Sequence, residues 1–292
     1  MKPQIVFIGT SASTPTHTRF SPAILLCSFK TCILLDVGEA TQINLGRMGI
    51  DPLKISIIGI THMHGDHYYG LLPIMDTIIM RLSSQNKQGQ HIVRLLGPEE
   101  LCSMYFKQPP IYGEAVNSHS NSDKNLVEIE CIDAETLSSG KNYIQTDGGD
   151  IAITSVNMNH GNIRAYGYVI KVRTGEGTNN FVTVFYSGDG ICSDQCPNTL
   201  KRLGPCIVIH EATFIDYEND RAKARKSFHA TISDAAYIAE YIEARMLIVT
   251  HISLRYRADW IRDYVSRAQR IFNGDIFIAD DLSVLPLDKV SC

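Results

Sequence analysis

Thr61-His62-Met63-His64-Gly65-Asp66-His67-Tyr68-Tyr69-Gly70 is the stretch whose chemistry decides how this chain is read. Three imidazoles and one carboxylate fall between positions 62 and 67, directly after the β-branched run Ile55 to Ile60. A strand end presents loop side chains to one place. His62 and His64, at alternate positions, can therefore converge on one metal ion while Asp66 and His67 face another. Imidazole and carboxylate donors suit zinc, and two adjacent ions can clamp both oxygens of an in-line displacement. Without a metal, four such groups in one turn would repel one another or lack partners.

Outward from this loop the pattern alternates between strand and helix. Upstream, Gln4 to Ile8, Ala23 to Ser28 and Cys32 to Asp36 are rich in Ile, Val, Leu and Phe and predict strands. Ala40 to Met48 predicts a helix stopped by Gly49 and Asp51-Pro52. Downstream, Leu71, Leu72, Ile74, Met75, Ile78 and Ile79 have the spacing of a buried helix. His91 to Leu96 predicts a strand, Glu99 to Phe106 a helix, and the Ser- and Asn-rich Ala115 to Asn125 an exposed loop. Strands follow at Leu126 to Ile132, Ile151 to Met158, Gly167 to Val172 and Phe181 to Tyr186, with a short polar connection over Arg173 to Asn180. The last third predicts strands at Cys206 to Ile209 and Met246 to Thr250. Its helices are expected at Thr231 to Ala244, capped by Thr231 or Ser233, and at Ala258 to Phe272. Helices outside two sheets, in a single α/β domain over residues 1–292, are the architecture this order implies.

Composition narrows the function classes. The 292 residues are 44% hydrophobic and 20% charged, enough for a large core and unlike a disordered chain. Lys and Arg number 27 against 31 Asp and Glu, a net charge of -4, which excludes a strongly basic nucleic-acid coat protein. No apolar run approaches the ~20 residues of a membrane span. Eight scattered cysteines, mostly inside apolar runs, suggest reduced thiols and a cytoplasmic home.

His-x-His-x-Asp-His is the signature of the metallo-β-lactamase superfamily, and its flanks narrow the match. Gly9-Thr-Ser-Ala-Ser-Thr-Pro15, Leu34-Leu-Asp-Val-Gly-Glu-Ala-Thr-Gln42 and Ile60-Thr-His-Met-His-Gly-Asp-His67 closely resemble the ribonuclease Z (tRNase Z) family. So do His160-Gly161 with Ala165-Tyr-Gly-Tyr168, Tyr186-Ser-Gly-Asp189, Ile209-His-Glu-Ala-Thr-Phe214, Phe228-His-Ala-Thr231, Thr250-His-Ile-Ser-Leu-Arg-Tyr256 and Ala279-Asp-Asp-Leu-Ser283. The resemblance runs in order along nearly the whole chain. It implies the four-layer αβ/βα metallo-β-lactamase sandwich and two Zn2+ per chain. One ion would be held by His62, His64 and His160, the other by Asp66, His67 and His251, with Asp189 bridging. It further implies that His229, held by Glu211, protonates the departing oxygen while a metal-activated hydroxide attacks phosphorus, and that Asp66 takes up a proton. Precursor tRNA as substrate, 3′-trailer removal as reaction and a homodimer complete what it implies. The assignment agrees with the residues themselves: His160, Asp189 and His251 each follow a predicted strand.

Other features carry less. Arg221, Lys223, Arg225 and Lys226 stand just before His229 and offer phosphate contacts or a solvated face. Arg19 and Arg255 lie beside family motifs, to touch substrate or to pair with carboxylates. Gly9, Gly38 and Gly188 read as glycines required by backbone geometry. His17, His91 and His119 have no assignment, and His210 reads either as a packing residue or as one that supports the site residues from behind. The chain departs from the family in two places. Only 28 residues separate His160 from Asp189, where most members carry a long arm that grips tRNA, and Ala40 stands where Gly is usual. The missing arm keeps alternatives open: an arm-less relative hydrolysing small phosphodiesters or aryl sulfates, or a non-catalytic binding scaffold.

Overall fold

The apolar runs pair into two sheets that face each other across a shared core. The computed structural model describes residues 2–84, 91–107, 127–175, 180–256, 260–290 and 292. Its strands are β1 (Gln4–Gly9), β2 (Ala23–Cys27), β3 (Cys32–Leu35), β4 (Ile55–Gly59), β5 (His91–Gly97), β6 (Val127–Asp133), β7 (Ile144–Gln145), β8 (Ile151–His160), β9 (Ile163–Arg173), β10 (Phe181–Tyr186), β11 (Ile191–Cys192), β12 (Ile207–Glu211), β13 (Met246–Thr250), β14 (Asp275–Ile278) and β15 (Val284–Pro286). Its helices are α1 (Thr41–Arg47), α2 (Gly65–Tyr68), α3 (Leu71–Ser84), α4 (Glu100–Lys107), α5 (Cys196–Leu203), α6 (Asp220–Ser227), α7 (Ile232–Tyr241) and α8 (Ile261–Ala268). The exposed loop expected at Ala115 to Asn125, and His119 with it, lies outside the described residues.

One sheet has the order β15-β1-β2-β3-β4-β5-β6 and the other β11-β8-β9-β10-β12-β13-β14, with β7 flanking β8. Each is antiparallel in its first half. Each becomes parallel where helical crossovers begin, from β3 through β6 and from β10 through β14. Parallel strands are covered on both faces, so they read as unbroken apolar runs rather than alternating ones. Ile5, Phe7, Ile33 and Ile57 meet Ile153, Tyr168, Ile170 and Val184 between the sheets. Outside the first sheet lie Leu45, Leu71, Ile74 and Ile78 of α1 and α3. Outside the second lie Leu200, Ala235, Ile238 and Tyr264 of α5, α7 and α8. Helix, sheet, sheet and helix make the expected four layers. Each large aliphatic side chain so buried contributes about 1.5–3 kcal/mol.

Local expectations mostly hold, with informative differences. Of the two candidate caps for α7, Thr231 is the cap: its Oγ1 accepts from Asp234 N, while Thr231 N donates back to the Asp234 carboxylate. Ala40 precedes α1 in the left-handed conformation, φ 68°, which explains why glycine suits that position. The cysteines are a correction. They are not reduced thiols here but are joined as Cys27–Cys32, Cys102–Cys131, Cys192–Cys196 and Cys206–Cys292. The physical reason lies in register: Cys27 and Cys32 are direct partners across β2 and β3, which linear spacing does not reveal.

Candidate metal centre

The carboxyl ends of β3, β4, β10, β12 and β13 gather at one rim of the two sheets, a common place for ligands in α/β folds. After β4 the chain turns through Thr61 into the single turn of α2. Val37 N donates to His67 O at 2.7 Å and Gly70 N to Val37 O at 2.8 Å, which pins this turn. Gly38 beneath it admits no side chain, because a Cβ there would lie 2.4 Å from Asp66 O. Asp189 is set by Gly188, with φ 58° and a would-be Cβ only 2.5 Å from Thr61 Cγ2. Gly38 is demanded by clearance, Gly188 by conformation and clearance alike.

Three overlapping donor groups result. His62, His64, His160 and Asp189 form the first, Asp66, His67 and His251 the second, and Asp189, His229 and His251 a third, with donor atoms of each within 4.8 Å of one another. His64 Nδ1 lies 2.9 Å from His62 Nε2 and 3.3 Å from His160 Nε2. Asp189 stands between the clusters: its Oδ2 is 3.9 Å from His62 Nε2 and 3.4 Å from His67 Nε2, and its Oδ1 is 3.2 Å from His251 Nε2. His67 Nε2, His251 Nε2 and Asp189 Oδ1 are buried without a hydrogen-bond partner. Orphaned donor atoms of this kind, facing one another in a dry site, are what a cation would satisfy. The residues fit divalent metal.

The rings of His67, His160 and His251 are each aimed by a partner on the nitrogen that faces away from the cluster, as suits ligating imidazoles. His67 Nδ1 donates to Asp36 Oδ2 at 2.8 Å, and His160 Nδ1 donates to Phe228 O at 2.8 Å. His251 Nδ1 is 2.8 Å from Thr213 Oγ1. Asp36 is wholly buried and also accepts from Thr61 N at 2.8 Å and from the Tyr186 hydroxyl at 2.7 Å. Asp36 and Thr213 carry no role in the sequence reading. The signals were available: a carboxylate embedded in the apolar run Leu34 to Val37, and a hydroxyl two residues beyond Glu211.

Glu211 and His229 form the expected pair. Glu211 is fully buried; its Oε1 accepts from His229 Nδ1 at 2.9 Å and from Gly190 N at 2.8 Å, and its Oε2 accepts from Thr213 Oγ1 at 2.6 Å. Burial alone would raise this carboxyl, but His229 beside it holds it below its ordinary value. For His229 burial disfavours the cation, yet the Glu211 carboxylate outweighs it and raises the imidazole to about 9. With Nδ1 engaged and 14% of the side chain exposed, its Nε2 is left for a substrate.

A family model, that of the Anti-Pycsar protein Apyc1, matches residues 3–259. The chain belongs to the Apyc1 family. It also resembles ribonuclease Z along its length. Ribonuclease Z from Saccharolobus islandicus (strain L.S.2.15 / Lassen #1) is 29% identical, over 97% of this chain and 99% of that one. Among solved structures, the short form of human tRNase Z superposes with a TM-score of 0.70 at 24% identity, covering 97% and 99% of the two chains. The metallo-β-lactamase fold protein YhfI from Bacillus subtilis gives 0.73 at 19% identity, covering 97% and 98%. The expected resemblance to ribonuclease Z and the metallo-β-lactamase fold are thereby borne out.

Within this Apyc1-family chain the weaker candidates separate. Arg19 is structural: it donates to Thr10 Oγ1, Ala279 O and Asp280 Oδ1 at 2.5–2.6 Å, tying the loop after β1 to the Ala279–Ser283 motif. Arg255 instead lies over the Phe214 ring, 4.4 Å from its centroid. Of the basic run on α6, Arg225 pairs with Asp234 at 2.7 Å and Arg221 lies 3.7 Å from Asp216, while Lys223 and Lys226 point to solvent. His210 is buried against Phe185 and its Nδ1 donates to Glu211 O at 2.8 Å, so it both packs and braces the backbone of Glu211. Between His160 and Asp189 the described chain is β9 and β10, directly paired, so a hairpin stands where an arm was missing in sequence.

Proposed function

We propose that the protein hydrolyses phosphodiesters, as a ribonuclease Z-type endonuclease that trims tRNA 3′ ends. The observation that carries this reading is the Glu211–His229 pair set beside a seven-donor metal centre. His62, His64 and His160 would hold one zinc ion and Asp66, His67 and His251 the other, with Asp189 shared. When bound, such ions supply charge stabilisation for the phosphoryl oxygens and a nucleophile at neutral pH. The chain's residues supply the rest. Asp66, part exposed at the rim, takes up a proton from the attacking side. His229 delivers one from Nε2 to the departing alkoxide, whose high pKa makes it a poor leaving group unaided. Glu211 holds Nδ1–H, which fixes the tautomer and stabilises the imidazolium. On precursor tRNA this cleavage leaves a 3′-hydroxyl.

A second reading, hydrolysis of small phosphodiesters, is favoured by the β9–β10 hairpin, which offers no arm to grip a tRNA. Paired Arg221 and Arg225 point the same way, since they spend charge on carboxylates. A side-by-side assay of zinc-loaded protein on precursor tRNA and bis(p-nitrophenyl) phosphate separates the two. Cleavage of both supports the tRNA reading; hydrolysis of the small diester alone selects the second; turnover of neither sinks phosphodiester chemistry. A homodimer belongs to the same proposal, supported by Ile43 of α1 and Met80 of α3, exposed by 57% and 48%. Among the described residues no helix is long and apolar enough to cross a membrane. The cytoplasmic setting we propose rests on the nucleic-acid substrate alone, since paired cysteines do not speak for a reducing compartment.

A further inference from the structure

His210 and Glu211 are neighbours on β12, so their side chains leave opposite faces of the strand. Glu211 meets His229 at the metal rim, whereas His210 faces the helices that cover the second sheet. There it lines a cavity of about 260 Å³ between β11, α5, α6 and α7, with Ile191, Pro197, Tyr237 and Ile238 among its walls. The ring is 1% exposed, and its Nδ1 donates to Glu211 O at 2.8 Å. A neutral imidazole protonated on Nδ1 carries a bare acceptor on Nε2. Burial disfavours the cation, so the ring keeps that form. Yet Nε2 is buried and has no hydrogen-bond partner among the described residues. The charged pair that also lines the cavity is committed elsewhere. Arg225 donates to Asp234 Oδ1 at 2.7 Å, and Asp234 Oδ2 accepts from Thr231 N and Oγ1 at 2.9 and 2.8 Å.

From these features we infer that the cavity is a second binding site, on the face of β12 opposite Glu211, for a small neutral aromatic molecule carrying one N–H or O–H donor. Each part of that description answers an observation. The donor supplies the hydrogen bond that His210 Nε2 lacks, because a buried acceptor left unpaired is costly. Neutrality follows from the Arg225–Asp234 pair, whose charges cancel and leave nothing for an ion. Ile191, Pro197 and Ile238 call for an apolar body, and the Tyr237 ring adds an aromatic wall against which a flat one packs. A volume at the small end of ligand pockets suits one ring or two fused rings. Phenols and indoles meet all of these demands. The inference stands apart from the phosphodiesterase reading, since none of the seven metal donors lines the cavity.

The test titrates the zinc-loaded protein calorimetrically with indole and with benzofuran, which has the same shape but an oxygen in place of the N–H. Indole should bind saturably, one molecule per chain, and benzofuran about tenfold more weakly, as the loss of one hydrogen bond at a buried acceptor dictates. Tyr237→Ala, a change at a position 58% exposed, should weaken both probes about threefold or more. His210→Phe keeps a buried ring but no acceptor, and should erase the preference for indole. If that variant does not fold, the two probes and Tyr237→Ala still decide the matter. Inorganic phosphate, an anion directed to the metal centre, should leave indole binding unchanged. A wild type that does not bind indole saturably overturns the inference and leaves His210 Nε2 to a water. Equal affinity for the two probes overturns it as well, as does indifference to Tyr237→Ala. Displacement of indole by phosphate would place the probe at the metal centre and overturn it too.

Discussion

At the scale of single residues, His229 is where binding and chemistry separate. Its ring is held by Glu211 at 2.9 Å and borders Asp189 and His251 without being needed for either of the two proposed ligand sets, so His229→Ala should retain metal while lowering the chemical rate by about 10²–10⁴. The loss should shrink for a p-nitrophenolate leaving group, which needs no proton. Equal losses on alkoxide and nitrophenolate substrates, measured in single turnover, would make the residue structural. The raised imidazole also sets a pH dependence. The donor must be protonated to act, so its contribution is full below its folded value of about 9 and is lost as pH rises through it. Glu211→Gln removes the carboxylate that raises it, and the alkaline limb of the kcat profile should move toward lower pH. A limb that stays in place would detach it from this pair.

At the scale of elements, α6 and α7 frame the donor's loop and are stabilised by ordinary devices. The capping box of α7 predicts that Thr231→Ala costs about 1 kcal/mol, read from chemical denaturation. The helix α6 packs through buried Ala224 and shows its cations outward. If RNA is bound there, replacing Lys223 and Lys226 by Gln should weaken tRNA affinity and flatten its salt dependence, by roughly one counterion for each phosphate that is no longer neutralised. Filter binding across a salt series reads this, and a slope equal to the wild type's would show the run to be a solvated face. These elements also mark how far sequence reaches. Long apolar runs such as β4, β10 and β13 were legible because both faces are buried. The helix α5, short and largely polar, was not, nor were the strands β14 and β15, which are only four and three residues long and only partly buried.

At the scale of the whole molecule, the two sheets are joined at one rim by groups that only a cation reconciles. Chelation should therefore abolish turnover reversibly and lower the melting temperature, because a ligand bound only by the folded state stabilises it by mass action. Elemental analysis of purified protein should approach two equivalents per chain; full activity in a metal-free preparation would remove the mechanism.

What the sequence determined by itself is the donor set. The loop from His62 to His67 reports its chemistry locally, whereas His160, Asp189 and His251 were named through the family resemblance, with which their places after predicted strands agree. The Glu211–His229 pair was named through the family resemblance, and the four layers followed from the order of runs. Only the tertiary structure decided which groups orient these ligands and what adjoins them. Tyr186 reaches Asp36 across 150 positions, and Phe228 O receives His160 across 68. The pairing of all eight cysteines and the stacking of Arg255 on Phe214 are decided in the same way. Such contacts depend on strand register and on how closely the sheets and the loops at their rim approach, and neither is written in the spacing of residues along the chain.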